Sequence, residues 1–356
     1  MTDLDDLKGL EKYDRTKMLD LITAFPEQIR DAKCIGSGYE AQPELKRSYK
    51  NMVIAGVGGS AIGADLVRSY VLKESKNPII VNRNYTMPAF VGDESLVVAS
   101  SYSGNTEETL SAYDDAKAKS AKIIAITSGG ELEKKARSDG FGVMIVPKGM
   151  PPRAALGYSF FPLLILLSKL GLLIGQKDKE IDETIQNLRE LNDKKIGQAV
   201  PSGKNIAKRI AAELYGKFPI IYGGQDNIDS IVTRWRGQLA ENAKTLSSSQ
   251  LFPEMNHNEI VGWENPKSML KSLAVVMLRD KDDHPRNSKR MDITKTIIEK
   301  EGVKVIEVSS IGGGLLSRIF SLIYMGDFVS FYLAMLNKRD PTPVERVTYL
   351  KNKLIE

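Results

Sequence analysis

The sequence predicts an α/β protein with two parallel sheets, each covered by helices. Three observations carry that expectation. A short β-rich apolar run, a glycine-rich turn and a helical pattern follow one another twice, first in 52–73 and again in 218–244. Further apolar runs alternate with helical patterns after each copy, the rhythm of parallel strands joined by crossover helices. The chain is 356 residues long, which suits two domains at about 150 residues each.

Each element has its own signal. Residues 52–55 are apolar and run into Gly56-Val-Gly-Gly-Ser60, after which 61–73 read as a helix. Strands are expected at 78–82, 96–100, 122–127 and 142–146. The apolar stretch 154–174 has the length of a membrane span, but it contains Ser159, Pro162, Ser168 and Lys169. It is read instead as a helix apolar nearly all round, buried between domains or against a second subunit. Residues 218–224 form the second strand and turn, and 225–244 its helix; further strands are expected at 272–278 and 304–308. The polar segment 279–292, which contains His284, reads as a solvated loop and helix start without a catalytic role. The resulting division is an N-terminal domain over 1–155, a helical connector over 156–199 and a C-terminal domain over 200–356.

Composition excludes several functions. The 50 basic and 45 acidic side chains give a diffuse net +5, which supports no nucleic-acid partner. Cys34 is the lone cysteine and forms no internal disulfide, so a reducing, cytoplasmic setting is expected. The acidic start lacks the features of a secretory signal. With only His257, His284 and Cys34 available, the usual zinc site of His and Cys ligands cannot be assembled, and no metal or cofactor is expected.

Two turns suit an anion. Gly56-Val-Gly-Gly-Ser60 follows its strand directly, lets backbone N–H groups approach a ligand and adds the Ser60 hydroxyl. It carries neither a Walker A lysine nor the G-x-G-x-x-G spacing, so a dinucleotide is disfavoured. In 100–109, Ser101, Ser103 and Thr106 place three hydroxyls around Gly104 just before a helix expected near Glu107. Hydroxyls at a helix N-terminus suit a phosphomonoester, and the competing reading is a hydroxyl-rich capping turn. The loop has no lysine, which argues against a nucleotide triphosphate.

Four side chains are candidates for chemistry. Arg153 follows two prolines that fix the backbone at a helix start, which suits an arginine facing oxyanion charge; alone it reads as a surface arginine. Glu241 lies late in the helix after the second glycine turn and could act as a general base if partly desolvated, though spacing alone gives a solvated glutamate. His257 lies in a polar loop within reach of a ligand, though alone it reads as an exposed, structural histidine. Lys351 belongs to the last helix, where lysines are ordinarily solvated.

Taken together, these pieces resemble a known family. The turn SYSGNTEET (101–109) resembles the phosphosugar signature of sugar isomerase (SIS) domains, and the degenerate second copy fits their tandem arrangement. GVGGSAIG (56–63), SYSGNTEET, PPRAALGY (151–158), AENAK (240–244), FPEMNHNEI (252–260) and DPTPVERVTYLK (340–351) stand in the order found in bifunctional phosphoglucose/phosphomannose isomerases. The resemblance covers almost the whole chain. It implies two doubly wound SIS subdomains, each with a five-stranded parallel sheet flanked by helices. It also implies that Gly59, Ser60, Ser101, Ser103 and Thr106 bind the sugar phosphate. Arg153 would stabilise an enediolate, and Glu241 would move the proton between C1 and C2. His257, from the second subunit of a homodimer, and Lys351 would assist ring opening. Lys351 is chosen over Lys353 by its spacing from Pro343.

The implied activity is metal-independent interconversion of glucose 6-phosphate and mannose 6-phosphate with fructose 6-phosphate through a cis-enediolate. One carboxylate can remove and return the proton on one face if a cation stabilises the enediolate oxygens, so the inventory suits the chemistry. In some relatives a threonine near the start of the last helix is linked to mannose; the matching neighbourhood here reads Thr342-Pro-Val344. The competing readings are a non-catalytic SIS sensor of sugar phosphates and an amino-sugar isomerase.

Overall fold

The computed structural model describes residues 2–225 and 227–355, which divide into two compact units. One comprises Ala24–Gln186 with Gly314–Ser317; the other comprises Met1–Thr23, Asn187–Gly313 and Arg318–Glu356.

The first unit holds a five-stranded, all-parallel sheet. Its strands are β1 (Asn51–Ala55), β2 (Ile79–Asn82), β3 (Ser95–Ser101), β4 (Lys122–Thr127) and β5 (Gly142–Ile145), in the order β2-β1-β3-β4-β5. Every residue of β1 and β3 is buried, as expected of central strands covered on both faces. Val53, Ala55, Val97, Ala99, Ile123 and Ala125 alternate along their strands and meet Ala112, Tyr113, Leu132 and Ala136 of the helices Glu107–Ala118 and Gly130–Ser138. The helix Leu156–Lys169 packs against both Phe25–Gly38 and Gly58–Tyr70.

The second unit holds β6 (Phe218–Gly224), β7 (Ser248–Phe252), β8 (Leu273–Arg279) and β9 (Lys304–Ser309), again all parallel, in the order β7-β6-β8-β9. The expected fifth strand is absent among the described residues, so this sheet has four strands. Strand β7 has no apolar run to announce it: Ser-Ser-Gln-Leu-Phe is an edge strand made by its pairing with β6, from Ile220 opposite Ser248 to Gly224 opposite Phe252.

The compact units differ from the expected domain limits in two ways. The first 23 residues group with the C-terminal unit, where buried Lys208 bonds Asp5 at 2.9 Å and Gln198 donates to the Leu4 carbonyl. The hydrogen bond from Lys208 holds the Asp5 carboxyl below the usual range. The expected connector is no separate piece. Its apolar helix Leu156–Lys169 is part of the first unit's core, so close to Phe25–Gly38 that a Cβ on Gly36 would lie 3.0 Å from Ile165.

The one helix among the described residues long and apolar enough to cross a membrane is Leu315–Leu336. Its apolar stretch is buried inside the protein, so the helix is a core element. Segment 279–292 is also less solvated than its composition suggests. Asp280 and Arg318 are both nearly sealed from solvent and are paired at 2.8 Å. His284 caps the helix Pro285–Lys300, its Nδ1 accepting from the Arg286 N–H at 3.2 Å.

Candidate active site

The strand order of the first sheet fixes where a ligand can sit. The order reverses between β1 and β3, and in an open parallel sheet the crevice for a ligand lies at the carboxyl ends of the strands flanking that reversal. Both anion-suited turns emerge there. The turn after β1 leads into the helix Gly58–Tyr70, and the turn after β3 leads into Glu107–Ala118.

The second turn is built by hydrogen bonds among the expected residues. Ser101 Oγ donates to Thr106 Oγ1 at 2.9 Å and accepts from the Gly104 N–H at 3.1 Å. Ser103 Oγ accepts from the Asn105 N–H at 3.3 Å. Ser60 Oγ accepts from the Tyr102 N–H at 3.2 Å, tying the turn after β1 to the turn after β3. Thr106 occupies the N-cap position and makes no side-chain cap bond to the helix. Gly104 is required: it has φ 71°, and a Cβ there would lie 1.7 Å from the Gly129 carbonyl oxygen. The dipole of the helix Glu107–Ala118 adds positive potential at its N-terminal end.

Arg153 is brought to the same place. Gly59 packs so closely on the turn Pro152–Ala154 that a Cβ would stand 2.7 Å from the Pro152 carbonyl oxygen. The Tyr102 hydroxyl accepts from the Met150 N–H at 3.2 Å, and Gln28 donates to the Ala154 carbonyl at 2.8 Å while accepting from the Gly157 N–H at 2.7 Å. Arg153 is 4% exposed, which overturns the surface-arginine reading. Burial pushes the Tyr102 hydroxyl up, against the opposing bond from Met150, so it remains a neutral phenol. Tyr102 was visible inside the sequence motif but had no assigned task; Gln28, more than 120 residues away in sequence from its partners, carried no local signal.

Glu241, His257 and Lys351 belong to the second unit, on three different elements. Glu241 is the last residue of the helix Asp229–Glu241 and is partly exposed. That helix is pinned internally: Arg234 and Gln238 both bond Asp327, Trp235 donates to the Leu322 carbonyl at 2.9 Å, and Asn242 donates to Ser330 at 2.9 Å. His257 is exposed, at the end of the short turn Glu254–His257. Its loop is anchored by Glu259, which accepts a hydrogen bond from buried Tyr222. Burial and the Glu259 carboxylate push the Tyr222 hydroxyl far up. Lys351 is exposed on the helix Glu345–Ile355.

At the carboxyl end of β8 the turn is filled by carboxylates. Asp283 accepts from the Asp280 N–H and Asp280 from the Asp282 N–H, each at 2.9 Å. These groups occupy backbone donors that an anion would need. Among the described residues, no three His, Cys, Asp or Glu side chains converge as a metal site.

Comparison with known proteins agrees with this layout. Residues 203–354 match the bacterial phospho-glucose isomerase C-terminal SIS domain, and residues 47–139 match the SIS domain. A bifunctional phosphoglucose/phosphomannose isomerase from Caldicellulosiruptor bescii is 52% identical, over 95% of this chain and 99% of that protein. Another, from Aquifex aeolicus, is 38% identical over 86% of this chain and 91% of its own length. Among solved structures, the C-terminal domain of glucosamine-fructose-6-phosphate aminotransferase from Francisella tularensis superposes with a TM-score of 0.71 at 17% identity, covering 92% of this chain and 98% of that one. That likeness concerns the fold alone. The extent and identity of the sequence matches establish that the chain belongs to the family of bifunctional phosphoglucose/phosphomannose isomerases.

Proposed function

We propose that this protein interconverts glucose 6-phosphate and mannose 6-phosphate with fructose 6-phosphate by proton transfer through a cis-enediolate, without a metal ion. The observation that carries the reading is the hydroxyl-lined turn at the β1/β3 reversal, together with buried Arg153 on the short turn that packs against Gly59. In this reading Gly59, Ser60, Ser101, Ser103 and Thr106 hold the phosphate, remote from the reacting carbons, and binding energy there orients the sugar. Glu241 takes the proton from C1 or C2 and returns it to the neighbouring carbon. Arg153 faces the negative charge that develops on the enediolate oxygens.

Ring opening is assigned to Lys351 and to His257 of a second subunit. The exposure of His257 supports a role in a neighbouring copy. So does the helix Glu345–Ile355, on which Val347, Leu350 and Leu354 form a stripe exposed by 47%, 58% and 68%. A homodimer would cover such a face. The lone Cys34 suits the reducing cytoplasm.

A coupled assay on EDTA-treated enzyme with each of the three sugar phosphates tests the proposal. Retained turnover is expected, with loss of turnover in Glu241→Gln. Calorimetric binding of sugar phosphate without turnover in the wild type would instead identify a sensor.

A further inference from the structure

Lys244 closes the Ala240–Lys244 motif, yet the reaction as assigned gives it no task. Its backbone has φ 55°, the left-handed region where glycine or asparagine is the ordinary occupant at a helix end. The bend is held on both sides, since Asn337 Nδ2 donates to the Ala243 carbonyl at 2.9 Å and to Thr245 Oγ1 at 3.1 Å. From this position the ammonium reaches three backbone carbonyls: those of Glu241, Pro341 at 3.0 Å and Pro343 at 2.7 Å. A cation on the last carbonyl of a helix is favoured by the helix dipole. Prolines 341 and 343 have no N–H, so their turn has fewer donors of its own with which to close. Asp340 Oδ1 accepts from the Thr342 N–H at 3.0 Å, and Lys244 adds donors from outside the turn.

We propose that Lys244 is a positioning residue that ties the backbone of Glu241 to the 341–343 turn, and thereby to the helix carrying Lys351. This rests on the assignment of Glu241 as the base. Glycine would fit the left-handed bend without strain, so the lysine is accounted for by its ammonium. The side chain is largely exposed, and removing it opens no cavity in the core.

Two variants test the idea. Lys244→Met removes the donors, and Lys244→Gly removes them while relieving the left-handed backbone. Both are expected to lower kcat about tenfold with KM for fructose 6-phosphate within about twofold, because orientation is lost while the phosphate is still held. The glycine variant should melt no lower than wild type. Amide hydrogen exchange should quicken across 340–350 in both. A kcat within about twofold of wild type in both variants, or a fall matched by loss of folded protein, would overturn the proposal. Unchanged exchange would do the same. Full activity in Glu241→Gln would defeat the base assignment instead, and the exchange measurement would still decide whether Lys244 holds the turn.

Discussion

Arg234 and Asp327 form an ion pair at 2.9 Å in which both side chains are nearly sealed from solvent, two helical turns before Glu241. Gln238 adds a bond to the same carboxylate at 2.7 Å. Burial pushes the Asp327 carboxyl up against the opposing pull of Arg234. Removing one member takes the counter-charge from a side chain that is nearly sealed from solvent. Asp327→Ala is therefore expected to destabilise the protein by about 3–5 kcal/mol, and a double change to apolar residues of similar volume should recover much of that loss. Urea unfolding of the two singles and the double checks this, and additive losses would show that the pair is not coupled.

If the turn 101–106 holds the substrate phosphate, two graded outcomes follow. Gly104→Ala should raise KM for every sugar phosphate sharply, since both its φ of 71° and the Gly129 carbonyl exclude a Cβ. Thr106→Val, which removes one hydroxyl, should raise KM by roughly three- to tenfold, the worth of a single hydrogen bond. Initial rates across substrate concentration distinguish them; equal, small effects would move the phosphate elsewhere.

If His257 serves the neighbouring subunit, inactive variants should complement. Glu241→Gln is expected to lose about 10²–10⁴-fold in kcat, as a displaced general base does, and His257→Ala to lose activity as well. Mixing the two and allowing subunits to exchange should restore about a quarter of wild-type activity, because half of the dimers would carry one intact site. No recovery after confirmed exchange would place both residues in one subunit's site.

Acid should weaken the second unit through Asp280. Burial raises its carboxyl, but hydrogen bonds from Arg318 and Ser310 outweigh that and hold it below the ordinary range. A carboxylate depressed in the folded state adds stability that is complete above its unfolded value, near 3.9, and is lost as pH falls through the folded value. The stability gap between wild type and Asp280→Asn is thus expected to be widest near neutrality and to close below about pH 4. Thermal melts from pH 7 to pH 3 measure it.

The parallel architecture and the hydroxyl-rich turn after β3 were legible in the chain because their signals are local. Residues 52–55, 96–100 and 122–127 are apolar runs flanked by turns, and Ser101, Ser103 and Thr106 sit within six residues of one another. Other features were decided only when distant segments met. Strand β7 exists through its pairing with β6, and the first residues join the C-terminal unit through Asp5 and Lys208, 203 positions apart. The short turn carrying buried Arg153 meets Gly59 and Gln28, and Lys244 acquired its partners from prolines almost a hundred residues away. Periodicity and turn chemistry report what neighbours along the chain do to the backbone. Burial and hydrogen bonding depend on which surfaces close over a residue, and that information lies in the tertiary packing.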